Sequence, residues 1–430
     1  MEEGVEIIGT TAFMDCYKLK DISMPESLIE IKYGAFFRCS SLKKIKVPSK
    51  ITKIEQNTFG YASNLEEIIL SDNTESISIG AFSATKFKEI VIPEKVKEIE
   101  IGAFQGNKQL SNIIIEGKNP QYVYENGMLM SKNKDNIVFI SDKYLRNINT
   151  FAIPDGIIKF NIGLNEYTNI TKIIIPETIE YISVDKLPTS INEIELANTN
   201  KKYYIDENKK ILYKKDAKEI IMCYSKEENI DLQGEDILRI ASYAFNQATN
   251  AKSIILPNSL KSIGTQVFTN CKKIEEIKIG PNVDSIDPLF KYGNYTGKVT
   301  IDKDNPNFII ENDILYNKDK TKLLKVLYWI EGEFYIDENV QQIGNLAFHS
   351  QYGMTDINIP KSVKEIQNSF NYCSGLVEVN IPNNVEKIHQ STFGQCHKLE
   401  RINVDKEKDS ISGAPWGAIK GMRVVKWLRW

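Results

Sequence analysis

The chain has 430 residues, with 54 basic and 57 acidic side chains, a formal net charge of −3 and 26% charged residues of both signs. That balance gives no electrostatic reason to bind nucleic acid or an anionic membrane. No apolar run is long enough for a membrane-spanning helix, and no signal-peptide pattern precedes the first apolar beat.

The segment Glu3-Gly4-Val5 leading to Ile8-Gly9 enters in the middle of a pattern, which reads as a chain cut from something longer, export signal included. From there a phenylalanine returns every 22 or 23 residues, at Phe13, Phe36, Phe59, Phe82 and Phe104. The beat resumes at Phe245, Phe268 and Phe290, and again at Phe348, Phe370 and Phe393. A fixed period of this length marks stacked supersecondary units rather than one globular core.

One unit places apolar residues at Ala35, Phe36, Cys39, Leu42, Ile45, Val47, Ile51 and Ile54, with Pro48 between the last two pairs. The step Ile45-Lys46-Val47 has the period of a half-buried strand. Proline then ends the ladder, as at Pro25, Pro93, Pro176, Pro257, Pro360 and Pro382. The three-residue steps from Ala35 to Leu42 predict a short helical or 3₁₀ turn. Ser71 stands where a proline is expected, and the units from about Ile157 to Leu196 lack a clear Ala-Phe pair.

Three insertions interrupt the beat. Asn119-Pro120-Gln121-Tyr122 leads to Asn126-Gly127-Met128-Leu129-Met130, and Asn305-Pro306-Asn307-Phe308 leads to Asn312-Asp313-Ile314-Leu315-Tyr316, with Asn200 to Tyr213 a degenerate copy. Each continues through a polar turn into a second apolar run, at Ile137, Ile220 and Leu323. Two such runs around a polar turn predict a projecting β-hairpin. The end, from Gly413-Ala414-Pro415-Trp416 to Trp430, departs from the repeat and reads as a cap with Arg423, Lys426 and Arg429 facing water.

The pattern Ala-Phe-x-x-Cys-x-x-Leu-x-x-Ile-x-Ile-Pro-x-x-Ile-x-x-Ile resembles the BspA-type, or Treponema-type, bacterial leucine-rich repeat, over nearly the whole chain. The resemblance implies a repeat solenoid of curved leucine-rich-repeat architecture on surface or secreted bacterial proteins, often used for adhesion. The expected layout is repeats over 1–116, a hairpin insertion over 117–150, degenerate repeats over 151–197, an insertion over 198–228, repeats over 229–301, an insertion over 302–328, repeats over 329–405 and a cap over 406–430, all one elongated domain.

Catalytic chemistry has little to stand on. The three histidines, His349, His389 and His397, are confined to the last units, and no phosphate-cradling Gly loop, HExxH, EF-hand loop or Gly-x-Ser-x-Gly occurs. Asp302-Lys303-Asp304-Asn305 belongs to a recurring turn rather than a calcium loop. No enzyme activity, cofactor or metal is expected. Cys16 and Cys39, like Cys373 and Cys396, are spaced by the repeat itself and read as small buried thiols, with a disulfide left open.

The middle residue of each strand triplet should face away from the core. It is polar at Lys46, Lys278, Asn358, Asn380 and Asn403 but apolar at Ile69, Val91, Ile114, Ile174 and Ile255. Consecutive apolar positions of this kind form a row that something should cover. The cover is either the hairpin beginning near Asn119 or a partner. The expected function is a non-enzymatic surface or extracellular module binding a protein or glycan, of host or bacterium, with self-association also open. The rival is an architectural or receptor-binding module of a larger assembly, such as a phage tail or cell-wall array.

Overall fold

The computed structural model describes residues 1–287 and 297–429, so the expected repeat position Phe290 lies outside the described residues. The chain divides into two compact units, Met1–Tyr204 and Ile205–Trp430. Each is a mainly β solenoid, built of coils joined by parallel ladders. Among the described residues, helix is confined to Asp142–Arg146 and the 3₁₀ turns Val184–Lys186 and Gly421–Val424.

In the first unit the Ile-x-Ile steps become the expected short strands. Lys44–Lys46 pairs in parallel with Glu67–Ile69, and Glu89–Ile92 with Asn112–Ile115, so that Ile45 meets Ile68 and Ile90 meets Ile113. The second extended piece of each coil forms its own ladder, as Lys53–Ile54, Ser76–Ile77 and Glu98–Ile99 do. Between the two ladders proline carbonyls close tight turns, Pro48 accepting from the Ile51 N–H and Pro93 from the Val96 N–H, both at 3.1 Å. Ser71 keeps the same turn, its carbonyl accepting from the Thr74 N–H at 2.8 Å while its hydroxyl donates to the Ser49 carbonyl at 3.1 Å. The units without an Ala-Phe pair also hold the ladder, with Phe151, Ile173 and Ile194 in register.

The Ala-Phe-x-x-Cys segment is not the helical turn its spacing predicts. The second residue after each phenylalanine is left-handed, with φ of 59° at Asp15, 59° at Arg38 and 58° at Tyr61. This breaks any helical run and turns the N–H sideways. Arg38 then donates to the Gly60 carbonyl at 2.8 Å and Tyr61 to the Ser83 carbonyl at 2.7 Å, each in the next coil. A helix would have spent those donors on itself. The phenylalanine N–H groups do likewise, Phe36 to the Thr58 carbonyl and Phe59 to the Ala81 carbonyl, both at 2.9 Å.

This backbone spacing sets the ring stack. Phe13, Phe36, Phe59, Phe82 and Phe104 lie at successive centroid separations of 5.1, 5.4, 5.9 and 5.9 Å, with interplanar angles of 12° or less. Offset stacking at this range adds to simple burial. In the second unit Phe348, Phe370 and Phe393 repeat the arrangement, and the strands Gly332–Tyr335, Met354–Asn358, Glu378–Ile381 and Arg401–Glu407 form one ladder.

The insertions are not simple projecting hairpins. Tyr122–Glu125, Met128–Ser131 and Ile137–Ile140 make a three-stranded antiparallel meander, as do Phe308–Glu311, Ile314–Asn317 and Lys322–Val326. The last strand of the third insertion continues into the solenoid, pairing in parallel with Gln342–Ile343; Glu219–Cys223 of the second does so with Arg239–Ile240. All three share a register shift at one place, between Leu129 and Met130, Leu212 and Tyr213, and Leu315 and Tyr316. Their side chains are core: Leu129, Leu212 and Leu315 are all buried.

One asparagine anchors each insertion. The Asn305 amide donates to the carbonyls of Gly280 and Val283 in the preceding coil, and its oxygen accepts from the N–H groups of Asn307 and Phe308. Asn119 and Asn200 are buried in the same way, and each accepts from the backbone two and three residues ahead. At the far end Trp416 is fully buried, its indole donating to the Ser412 carbonyl at 2.8 Å, and Val425–Arg429 adds a parallel strand to Arg401–Glu407. Arg423, Lys426 and Arg429 are exposed, as a cap requires. We expect Asn305→Ala to lower stability in urea denaturation by about 2–4 kcal/mol, since several buried backbone groups lose a partner. Asn305→Asp fails to rescue it, because a carboxylate cannot donate to the two carbonyls.

Candidate functional site

The chemistry-bearing side chains are dispersed into structural roles. All six cysteines are free, so neither Cys16 and Cys39 nor Cys373 and Cys396 are bridged. The thiols of Cys39, Cys271, Cys373 and Cys396 each donate to the carbonyl of the phenylalanine one coil back, at 3.0 to 3.1 Å. Burial pushes the Cys39 thiol up to about 11, and those of Cys223 and Cys396 up to about 12. Such thiols are poor nucleophiles. DTNB at about pH 8 is therefore expected to titrate only Cys16 in the folded chain, and the rest only after denaturation. Labelling of Cys39 as fast as Cys16 would contradict this packing.

His389 and His397 are exposed, and among the described residues no group of three His, Cys, Asp or Glu side chains could hold a metal. His349 is half-buried, with Nδ1 at 2.8 Å from the Ser350 hydroxyl and its ring tilted 5.4 Å from Tyr372. Burial, helped by the nearby Lys325 ammonium, pulls its imidazole down to about 4. The unfolded chain takes up this proton near pH 6.5, so stability is full above that value and falls as pH drops toward about 4. Urea midpoints compared at pH 7 and pH 4.5 should drop more for the native chain than for His349→Asn.

The outward row of the first unit is real and uncovered. Ile69, Val91 and Ile114 are exposed at 42%, 40% and 41%, and Val91 stands opposite Ile114. The expectation that the insertion after Asn119 folds back over them is overturned. That meander packs on the core instead, with Phe139 edge-on to Phe104 at 5.9 Å and Tyr122 donated to by the Ile99 N–H.

The ladder also lapses inside this row. Glu67–Ile69 pairs only with Lys44–Lys46, and Glu89–Ile92 only with Asn112–Ile115, among the described strands. The repeat between Phe82 and Phe104 is one residue short, and the Lys86 N–H bonds the Leu65 carbonyl at 2.9 Å. A groove of about 650 Å³ opens there, lined by Glu66, Ile69, Lys86, Lys88, Glu89 and Val91 among others. Ion pairs frame it, Lys86 to Glu66 at 2.8 Å and Lys44 to Glu67 at 2.7 Å. The Lys86 ammonium, by hydrogen bond first and charge second, holds the Glu66 carboxyl below its usual range.

Ile174 and Ile255 do not join this row. Both are half-buried, Ile174 between Ala152 and Glu195 in another sheet, and Ile255 between Asp231 and Lys278 in the second unit. The sequence reading missed the gap between the strands, because a 22-residue step is no signal by itself: Phe348 to Phe370 has the same step and its ladder stays closed. It also missed Tyr335, 63% exposed and opposite Asn358, because its strand carries no Ile-x-Ile-Pro.

Solved structures that resemble the chain include a leucine rich cell surface protein from Faecalibacterium prausnitzii, a leucine-rich repeat protein from Bacteroides ovatus, and the pneumococcal vaccine antigen PcpA. Identities are 18%, 21% and 16%, TM-scores 0.32, 0.31 and 0.32, and the alignments cover 94%, 99% and 95% of this chain and 71%, 88% and 83% of theirs. No curated protein matches. No helix among the described residues is long and apolar enough to cross a membrane. The BspA type leucine rich repeat region matches in 6 copies, over residues 1–123, 218–325 and 332–415. That is well over half of the chain, and the protein belongs to the BspA-type leucine-rich-repeat family.

Proposed function

We propose that this chain is a non-enzymatic, adhesin-like module of a bacterial surface or secreted protein, and that it takes a protein partner on the strand face of its first unit. The observation that carries the reading is the uncovered row of Ile69, Val91 and Ile114 beside the opened groove. Apolar side chains placed in a row across two neighbouring two-stranded sheets, with ion pairs at the rim, have the composition of an interface core bordered by a polar edge.

The test is biolayer interferometry of the purified chain against a panel of purified extracellular-matrix and serum proteins. The native chain runs beside the triple variant Ile69→Lys, Val91→Lys, Ile114→Lys. These side chains are exposed, so the variant should melt within a few degrees of the native chain. A specific partner whose affinity falls at least about tenfold in the folded variant is the expected result, a loss of about 1.4 kcal/mol or more. Undiminished binding by the variant sinks this site, and the absence of any partner sinks the reading.

A further inference from the structure

The last coils of the second unit carry a different outward row. Tyr335 stands opposite Asn358, Asn358 opposite Asn380, Asn380 opposite Asn403, and Asn403 opposite Lys426. Parallel strands repeat about every 4.8 Å, so three amides and a phenol ring recur at that interval along one line. The amides border a cavity of about 370 Å³, with Glu338, Lys361 and Asp405 at its margins.

The hydrogen-bonding state of this row is uneven. The Asn403 amide donates to the Asn380 oxygen at 2.9 Å and to Glu378 Oε1 at 2.6 Å, which fixes its orientation. Among the described residues no protein group bonds the Asn358 amide, and Asn380 accepts that one bond only. Each amide can offer two donors and two acceptor sites. The row thus presents unspent amide donors at Asn358 and Asn380 and an unspent amide acceptor at Asn403, on the same line as the Tyr335 ring.

Charge narrows the ligand. Arg429 holds Asp405 in a two-pronged ion pair at 2.8 and 3.0 Å, and its hydrogen bond keeps the Asp405 carboxyl below the usual range. With Asp405 already neutralised, Glu338 and Lys361 leave the cavity without net charge, so an ionic polymer gains nothing there. A peptide adding itself as a strand needs a free sheet edge, whereas Asn358, Asn380 and Asn403 sit on inner strands of the ladder. A hydroxyl-rich ring fits both halves: its hydroxyls donate and accept as the amides do, and its C–H face lies on an aromatic ring.

We infer that the row Tyr335–Asn358–Asn380–Asn403 is a binding site for a neutral polysaccharide, running across the strands with successive rings against successive amides. This site is independent of the apolar row in the first unit.

The experiment is affinity electrophoresis of the full chain in gels containing soluble β-1,3-glucan, xylan or mannan, with heparin and polygalacturonate as charged comparators. Three chains run beside the native one: the triple variant Asn358→Ala, Asn380→Ala, Asn403→Ala; Tyr335→Ala; and the triple lysine variant of the first unit. Asn358, Asn380, Tyr335 and the first-unit side chains are exposed and Asn403 is half-buried, and a thermal scan confirms folding of each variant. The expected result is retardation by at least one neutral polysaccharide, insensitive to salt, weakened at least tenfold in both second-unit variants and unchanged in the first-unit variant. Retardation by none of the three, by the charged polymers alone, or surviving both second-unit variants overturns the proposal. Loss in the lysine variant alone would assign the sugar to the first-unit row and also overturns it.

Discussion

Each regular coil among the described residues leaves three sets of backbone groups to be satisfied by the coil beside it: the Ile-x-Ile strand, the two-residue strand after the proline turn, and the sideways N–H groups around the phenylalanine. Buried backbone donors and acceptors must be paired. A coil alone could pair none of these and could bury neither its phenylalanine nor its isoleucines. The spacing between coils is therefore set by hydrogen-bond length at three places at once, and the ring stack of Phe13 to Phe104 follows that spacing.

The same constraint explains the recurring polar devices. The cysteine thiol bonds the phenylalanine carbonyl of the preceding coil, and Asn107 performs a related task where the cysteine is missing, donating to the Phe82 carbonyl at 2.9 Å. Asn119, Asn200 and Asn305 satisfy carbonyls left open where the repeat gives way to an insertion. What looked like reactive or ligating residue types is consumed in closing this ledger of backbone groups. The surface left for function is the outward residue of each strand, which no coil requires for its own stability.

That division of labour lets one scaffold carry different faces. On Glu67–Ile69, Glu89–Ile92 and Asn112–Ile115 of the first unit the outward position is isoleucine or valine, and the ladder opens between the first two of these strands. In the second unit it becomes tyrosine and asparagine, with the ladder closed and a bidentate ion pair at its border. An outward residue can change without touching the inward Ile45 or Val379 on which the stack depends.

The sequence by itself determined the repeat, the strands, the proline turns and the outward placement of Ile69, Val91 and Ile114, because each rests on local period and on proline chemistry. It could not determine that the Ala-Phe segment is left-handed rather than helical, since that choice is made by carbonyls about 23 residues away in the next coil. Nor could it tell that the insertions become integral strands, or that the row beside Asn119 stays uncovered. Both depend on where Phe139 of the first meander finds apolar partners and the last strands of the second and third find backbone partners, and only the stacked coils supply those.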